Sequence, residues 1–468
     1  MSECCKSTVN MNAVKQSACG CEDQKSTPLH DNRKLPVAII GGGPVGLAAA
    51  ANLIAKGESF VLFEAASQVA GNIQQWSHVR LFSPWQYNID KAAKKLLEVH
   101  GWKAPIDTTL PTGDDLVKQY LDPLSKLPQI KPYVHYDSKV VAVGRKGINK
   151  LKTAGRDTLP FVLYVDKDGK RIAYEAKAVI DASGTWSSPN PANSEGIWTE
   201  DELALNNKIT YSIPDVLGNQ REQYANKKVL VVGSGHSAIN ALLDLERLQE
   251  QEPSTGIVWI IRKPKVEDVY GGKESDSLQE RGALGIRLQR LVESGKVAVQ
   301  TAFNIQSFTN DEGHITVIGK KNGETLRIEG IDEIISNTGS RPDLSFLREI
   351  RIDIDSALES VNVLGPLIDP NVHSCGTVRP HGERELRQPE TNFYIVGSKS
   401  YGRAPTFLMA TGYEQVRSIV AALSGDWESA TNIELDLPET GVCSVDLQNY
   451  CESGTSNNSV ATKSKCCC

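Results

Sequence analysis

The chain contains no run of about 18 uninterrupted apolar residues, the length a membrane-spanning helix needs, so no membrane partner is expected. Its first residues, MSECCKSTVNMNAVKQ, lack the apolar centre of a secretory signal, and a cytoplasmic location is expected. Positive charge is not in excess. With 51 Lys and Arg against 57 Asp and Glu, the net charge of −6 offers no basic surface to nucleic acid. Zinc-finger and homeodomain signatures are also missing, and nucleic acid is excluded as an expected partner. Cysteine is absent from residues 22 to 374. A disulfide-stapled secreted fold would carry bridges through that stretch, so the 10 cysteines are read as reduced thiols. Nowhere do two of them form the CxxC pair of a redox dithiol. They gather at the ends, as Cys4, Cys5, Cys19 and Cys21 in front and Cys443, Cys451, Cys466, Cys467 and Cys468 behind, with Cys375 alone between.

What the chain does have is glycine at strand ends. The stretch Val37 to Glu64, VAIIGGGPVGLAAAANLIAKGESFVLFE, reads as strand, glycine turn, helix and second strand. Gly41, Gly43 and Gly46 form GxGxxG. In such a turn the first glycine permits the bend, the second lets the backbone approach a pyrophosphate, and the third lets helix pack on strand. Unpaired N–H groups and the dipole at the helix start stabilise an anion without a basic side chain. Glu64 closes the second strand, where a carboxylate accepts hydrogen bonds from ribose hydroxyls. A second such unit follows at KVLVVGSGHSAINALL, residues 228 to 243, where Gly233, Gly235 and Ala238 give GxGxxA. Its closing strand runs into Arg262 and Lys263 instead of an acid. Two cations favour a ribose 2′-phosphate by roughly 10- to 100-fold, so this seat is expected to take NADPH in preference to NADH.

The remaining chain is read around these two units. Residues 1–33 and 436–468 are polar and are expected to be tails. PTGDDLVKQYLDPL reads as a helix capped by Thr112. Phe161 to Asp166 and Arg171 to Glu175 flank Asp168-Gly169 as a hairpin. AVIDASGTW (178–186) reads as a buried strand running into a glycine turn, placed to return the chain to the sheet of the first unit, and the strand from Ile334 runs into NTGSRP (337–342), a second glycine turn where the chain crosses back. Residues 297–337 read as a meander, and Phe393 to Gly397 as one more strand before a helix carried by residues 407–423. The expected fold is α/β, with two Rossmann-like three-layer dinucleotide-binding domains. Residues 34–205 and 338–435 make one, and residues 206–337 the other, inserted in it.

This arrangement, with ASGTW, NTGSRP and FYIVG marking the crossings, resembles flavoproteins that have two dinucleotide-binding domains. ASGTWSSPNP is similar to a motif of the flavin-containing and Baeyer-Villiger monooxygenases. WSHVRLFSPW, YSIPDVLG, GSGHSAIN and HSCGTVRPHG, with the cysteine-rich ends, resemble the flavoproteins of bacterial arsenic resistance (ArsO type). The resemblance implies that Gly41, Gly43, Pro44, Gly46, Glu64, Gly184 and Gly397 bind FAD, and that Gly233, Gly235, Ser237, Ala238, Arg262 and Lys263 bind NADPH. It implies hydride transfer from NADPH to FAD and then reaction with dioxygen and a small-molecule substrate. Two departures stand out: Ser398 replaces the usual acid after Gly397, and the FxGxxxH segment of typical monooxygenases is not evident.

Arg403 and Arg80 are the candidates for electrostatic stabilisation at the flavin, where Trp76 and Trp85 are further candidates to line the site. Cys375, flanked by His373 and His381, is a candidate thiolate if a neighbouring imidazolium lowers its pKa. The terminal thiols Cys4, Cys5, Cys19, Cys21, Cys466, Cys467 and Cys468 suit trivalent arsenic, although their spacing is not that of structural zinc. Two other readings stay open: an NADPH-dependent thiol, disulfide or metalloid reductase or oxidase, and a thiol-based metalloid-binding or sensing flavoprotein.

Overall fold

A computed structural model describes residues 34–276, 278–371 and 378–435. Cys375 and the nine cysteines of the two ends lie outside the described residues, as do the expected tails. Among the described residues no helix is long and apolar enough to cross a membrane.

In chain order the strands are β1 (Val37–Ile40), β2 (Phe60–Phe63), β3 (Val134–His135), β4 (Lys139–Arg145), β5 (Phe161–Lys167), β6 (Lys170–Ala176), β7 (Ala178–Asp181), β8 (Ile209–Thr210), β9 (Lys228–Val232), β10 (Gly256–Ile260), β11 (Val297–Gln300), β12 (Phe303–Asp311), β13 (His314–Lys321), β14 (Glu324–Ile331), β15 (Glu333–Ser336) and β16 (Phe393–Ile395). They build two five-stranded sheets, ordered β16-β7-β1-β2-β3 and β11-β10-β9-β15-β8, and two three-stranded ones, β4-β5-β6 and β12-β13-β14. Pairing within each five-stranded sheet is parallel, as runs of apolar residues without alternation demand. The second sheet draws all its strands from between β7 and β16, so it is inserted in the first. The expected fold class is the observed one.

The second sheet shows how its strands are covered. Val229 and Val231 of β9 face the helices His236–Gln251 and Gln279–Glu293, while Leu230 and Val232 face Phe303, Phe308, Ile315 and Val317 of the β12–β14 meander. Side chains alternate across a strand, so an unbroken apolar run needs a cover on each face, and each has one. In the first unit β1, β2 and β7 share one core with the helices Pro44–Ala55 and Met409–Leu423. Phe161, Leu163 and Val165, alternate residues of β5, enter the same core. The expected hairpin is β5–β6, and Thr112 caps its helix in a box with Asp115.

Two crossing segments join the units, and they lie side by side. Asn190 N–H donates to the Gly339 carbonyl at 2.9 Å and Arg341 N–H to that of Ser188 at 2.9 Å. Thr338 Oγ1 donates to the Asn190 carbonyl at 2.9 Å, and Arg341 Nε to Asn190 Oδ1 at 3.0 Å. The two stretches marked in the sequence as crossings are thus a single hydrogen-bonded pair.

Candidate dinucleotide-binding site

At the end of β1 the three glycines of the first turn serve three different needs. Gly41 has φ +102°, and a Cβ there would lie 2.7 Å from the Ala182 carbonyl oxygen, so the crossing segment after β7 requires glycine. At Gly46 a Cβ would lie 1.9 Å from the Gly41 carbonyl oxygen, which would force the helix Pro44–Ala55 off its strand. Gly43 differs from both. Its φ of −81° suits any residue, and an added Cβ would meet no protein atom within 4 Å. Neither the backbone nor the packing requires glycine here; a ligand approaching the helix N-terminus would. Glu64 completes the seat, with Oε2 accepting from Gly42 N–H at 2.6 Å and Oε1 from Ala66 N–H at 2.8 Å. Each oxygen keeps about one lone pair for a ribose hydroxyl. Burial pushes this carboxyl's pKa up, and the backbone N–H groups of Ala66, Gly42 and Ala65 pull it down. Gly42, outside the motif's three positions, is also constrained, since a Cβ would lie 2.9 Å from Glu64 Oε2.

The second turn repeats the logic. A Cβ on Gly233, at φ +126°, would lie 2.2 Å from the Asn337 carbonyl oxygen, so this glycine admits the returning segment as Gly41 admits the outgoing one. Gly235, at φ −86°, again leaves open space where its Cβ would be. Ala238 is fully buried in the first turns of the helix His236–Gln251, and Ser237 stands one residue before it. Arg262 and Lys263 are exposed just past β10. Lys263 Nζ donates to the Asp268 carbonyl at 2.6 Å. Across the junction the Phe82 ring from the first unit packs on His236, with centroids 5.0 Å apart.

Beside the first turn two further turns meet. Gly184 has φ +72° and approaches Ser398, whose Oγ would be 3.5 Å from an added Cβ, and Gly397 has φ +70° against Val45. Beneath them lies a pair that sequence reasoning missed. Lys399 Nζ is 2.7 Å from Asp181 Oδ2 and donates to Ser183 Oγ at 3.0 Å, with both charged side chains 0% exposed. Asp181 Oδ1 accepts from Ser183 Oγ at 2.6 Å. The available signal was an acid ending one apolar strand and a lysine following another. Trp76 and Trp186 stand 6.2 Å apart, and Trp186 Nε1 donates to Gln75 Oε1 at 3.0 Å.

The other candidates are scattered. Trp85 is buried in the core. Arg80 is tied to the Leu110 carbonyl by a 2.8 Å hydrogen bond from NH1. Arg403 is exposed in the loop after the Gly397–Tyr401 turn. The idea of His381 as an imidazolium beside Cys375 does not fit its surroundings: the ring is 1% exposed, both nitrogens are engaged, and burial lowers its pKa.

Known proteins resemble this chain in sequence and in fold. Residues 38–363 match the family described as pyridine nucleotide-disulphide oxidoreductase. A ferredoxin–NADP reductase of Lactococcus lactis is 25% identical over 335 residues, which is 70% of this chain and 83% of that one. Among solved structures, the bacillithiol disulfide reductase of Bacillus cereus superposes with a TM-score of 0.60 at 20% identity, covering 84% of this chain and 99% of that one. DfoA of Erwinia amylovora, a cadaverine monooxygenase solved with FAD bound, reaches a TM-score of 0.60 at 12% identity, covering 87% and 99%. At these identities the two structures speak for the fold.

Proposed function

The chain belongs to the pyridine nucleotide-disulphide oxidoreductase family, and from that premise we propose an FAD-dependent, NADPH-oxidising enzyme of monooxygenase type. It is an oxidoreductase that uses FAD and NADPH; the finer reading concerns where the electrons go. The carrying observation is the pair Gly43 and Gly235, whose ordinary φ values and empty surroundings leave ligand approach as the reason for glycine. On this reading FAD takes the acid-tipped seat of Gly41, Gly43, Pro44, Gly46 and Glu64, and NADPH the seat of Gly233, Gly235, Ser237, Ala238, Arg262 and Lys263. Bound FAD supplies hydride acceptance from NADPH and electron delivery onward. The protein's share is orientation: Glu64 fixes the ribose, the two helix starts hold the phosphates, and the paired crossing segments set one seat against the other.

Dioxygen is favoured over a disulfide as acceptor because the sequence has no CxxC, and the stretch from residue 22 to 374 has no cysteine at all. Arg403, exposed beside the Gly397–Tyr401 turn, is the first candidate to stabilise developing negative charge there. A link to arsenicals as substrate or cargo rests on the thiols at both chain ends, since trivalent arsenic prefers thiolate ligands. The reductase reading is supported by those same thiols and by the ferredoxin–NADP reductases among the sequence relatives.

The deciding experiment contrasts two alanines. Gly43→Ala should leave the apoprotein's melting temperature unchanged while FAD binding is lost, whereas Gly46→Ala should lower stability and binding together. Equal flavin content in Gly43→Ala and wild type would refute the seat. Anaerobic NADPH should then bleach the wild-type flavin, and readmitted oxygen should yield oxygenated product. Full recovery as hydrogen peroxide with every candidate substrate would favour an oxidase.

A further inference from the structure

Beneath the Gly397–Tyr401 turn a hydrogen-bonded chain runs from the turn to the buried His381. Gly397 N–H donates to Gln415 Oε1 at 2.7 Å, within the buried face of the helix Met409–Leu423. A backbone N–H can only donate, so this contact fixes the Gln415 amide with its oxygen toward the turn and its nitrogen away. That nitrogen lies 2.9 Å from Ser400 Oγ and 2.9 Å from His381 Nε2. Ser400 Oγ in turn donates to the Gly397 carbonyl at 2.7 Å, closing a ring around the turn. Because Gln415 Nε2 carries only donors, His381 Nε2 must accept. The ring proton then sits on Nδ1, which faces the Arg379 carbonyl at 3.2 Å. Each polar atom in this chain finds a partner only when His381 is neutral. An imidazolium would set N–H against N–H at the Gln415 contact, and the amide would have to turn over, taking the acceptor away from Gly397.

We propose that Gln415, oriented by neutral His381, is a positioning residue that holds the Gly397–Tyr401 turn in the shape required to bind FAD. The proposal rests on the FAD seat argued above. Burial of His381 lowers its pKa and so favours the neutral form the geometry requires. The hydrogen bond to the Arg379 carbonyl opposes that shift, as do the Glu385 and Glu414 carboxylates, the Arg379 charge reinforces it, and Glu383 and Arg384 border the same 180 Å³ cavity. The Tyr401 ring packs against the His381 ring at a tilt of 35°, with centroids 5.5 Å apart. FAD affinity is therefore present above the His381 pKa and falls as pH drops through it, below the ordinary imidazole range.

The test measures FAD affinity by flavin fluorescence between about pH 5 and about pH 8, alongside the melting temperature of each variant. Gln415→Leu strands the Gly397 N–H and should weaken FAD binding about 10-fold or more. Gln415→Glu keeps an acceptor for Gly397 and adds one for a protonated His381, so its affinity should hold or rise in acid where the wild type falls. His381→Gln presents an acceptor that cannot titrate and should flatten the profile. If Gln415→Leu does not fold, the other two profiles carry the test. Wild-type pH profiles in both Gln415→Glu and His381→Gln would overturn the proposal. A wild-type protein that binds no FAD at any pH would instead overturn the FAD seat, and this proposal with it.

Discussion

Replacing Lys399 with methionine tests whether the junction beneath the two turns is held by charge in a dry interior. In the native protein the Lys399 ammonium contacts Asp181 Oδ2 at 2.7 Å and Ser183 Oγ at 3.0 Å, and lies 4.4 Å from the centre of the Phe346 ring. Were this pair on the surface, its loss would cost about 0–1 kcal/mol. Both side chains are 0% exposed, so Lys399→Met leaves a buried carboxylate with only Ser183 for company, at a cost of about 3–5 kcal/mol. At roughly 2–4 °C per kcal/mol for a unit of this size, melting should fall by roughly 6–20 °C. The fall should appear in tryptophan-fluorescence melts at one scan rate, with FAD in excess. Adding Asp181→Asn removes the stranded charge, and the double variant should recover most of the loss. Two results would refute the reasoning: a single variant melting within about 2 °C of wild type, as an exposed pair would, or a double variant less stable than the single.

Two further expectations follow from local chemistry. Asp90 caps the helix Lys91–Val99 by accepting from Ala93 N–H at 2.8 Å, and burial raises its pKa to about 6. A carboxyl raised in the folded state adds stability that is complete below its ordinary pKa and lost as pH climbs through about 6. Asp90→Asn keeps a capping oxygen and cannot ionise, so it should flatten that loss, making the variant about 2–3 kcal/mol more stable than wild type in urea melts near neutrality. No change in the pH slope would count against it. Arg262→Ala should raise the NADPH dissociation constant roughly 10- to 100-fold and leave NADH nearly untouched, as read by flavin bleaching at graded nucleotide. Equal losses for both nucleotides would assign Arg262 elsewhere.

Much of this architecture is legible in the amino-acid sequence because it is written in short-range pattern. Four apolar residues ending at Gly41, five positions ending at Gly233, and an acid or a cation at the close of each second strand are local statements, and each strand and glycine turn lies where they put it. The glycine positions are legible through the missing Cβ, although what fills that space at Gly41 and Gly233, the Ala182 and Asn337 carbonyls, comes from far along the chain. Even the partner of Gly41 was half visible, since the ASGTW turn was expected to return to the first sheet and its Ala182 carbonyl fills the space a Cβ would take.

What the tertiary structure alone decided are the side-chain pairings that depend on distance through space. Lys399 reaches Asp181 across 218 residues of chain, and Gln415 reaches His381 across 34, so no short window of sequence contains both members of either pair. His381 was attractive in the sequence for its nearness to Cys375, yet folding buries it against Tyr401 and Gln415 and uses both of its nitrogens. Arg80, a candidate for the flavin, is tied to the Leu110 carbonyl. Backbone conformation answers to near neighbours and could be read from them. The partner of a buried charge or proton is chosen by which atoms the whole fold leaves within about 3 Å in a medium of low dielectric, and that choice exists only once the chain has closed on itself.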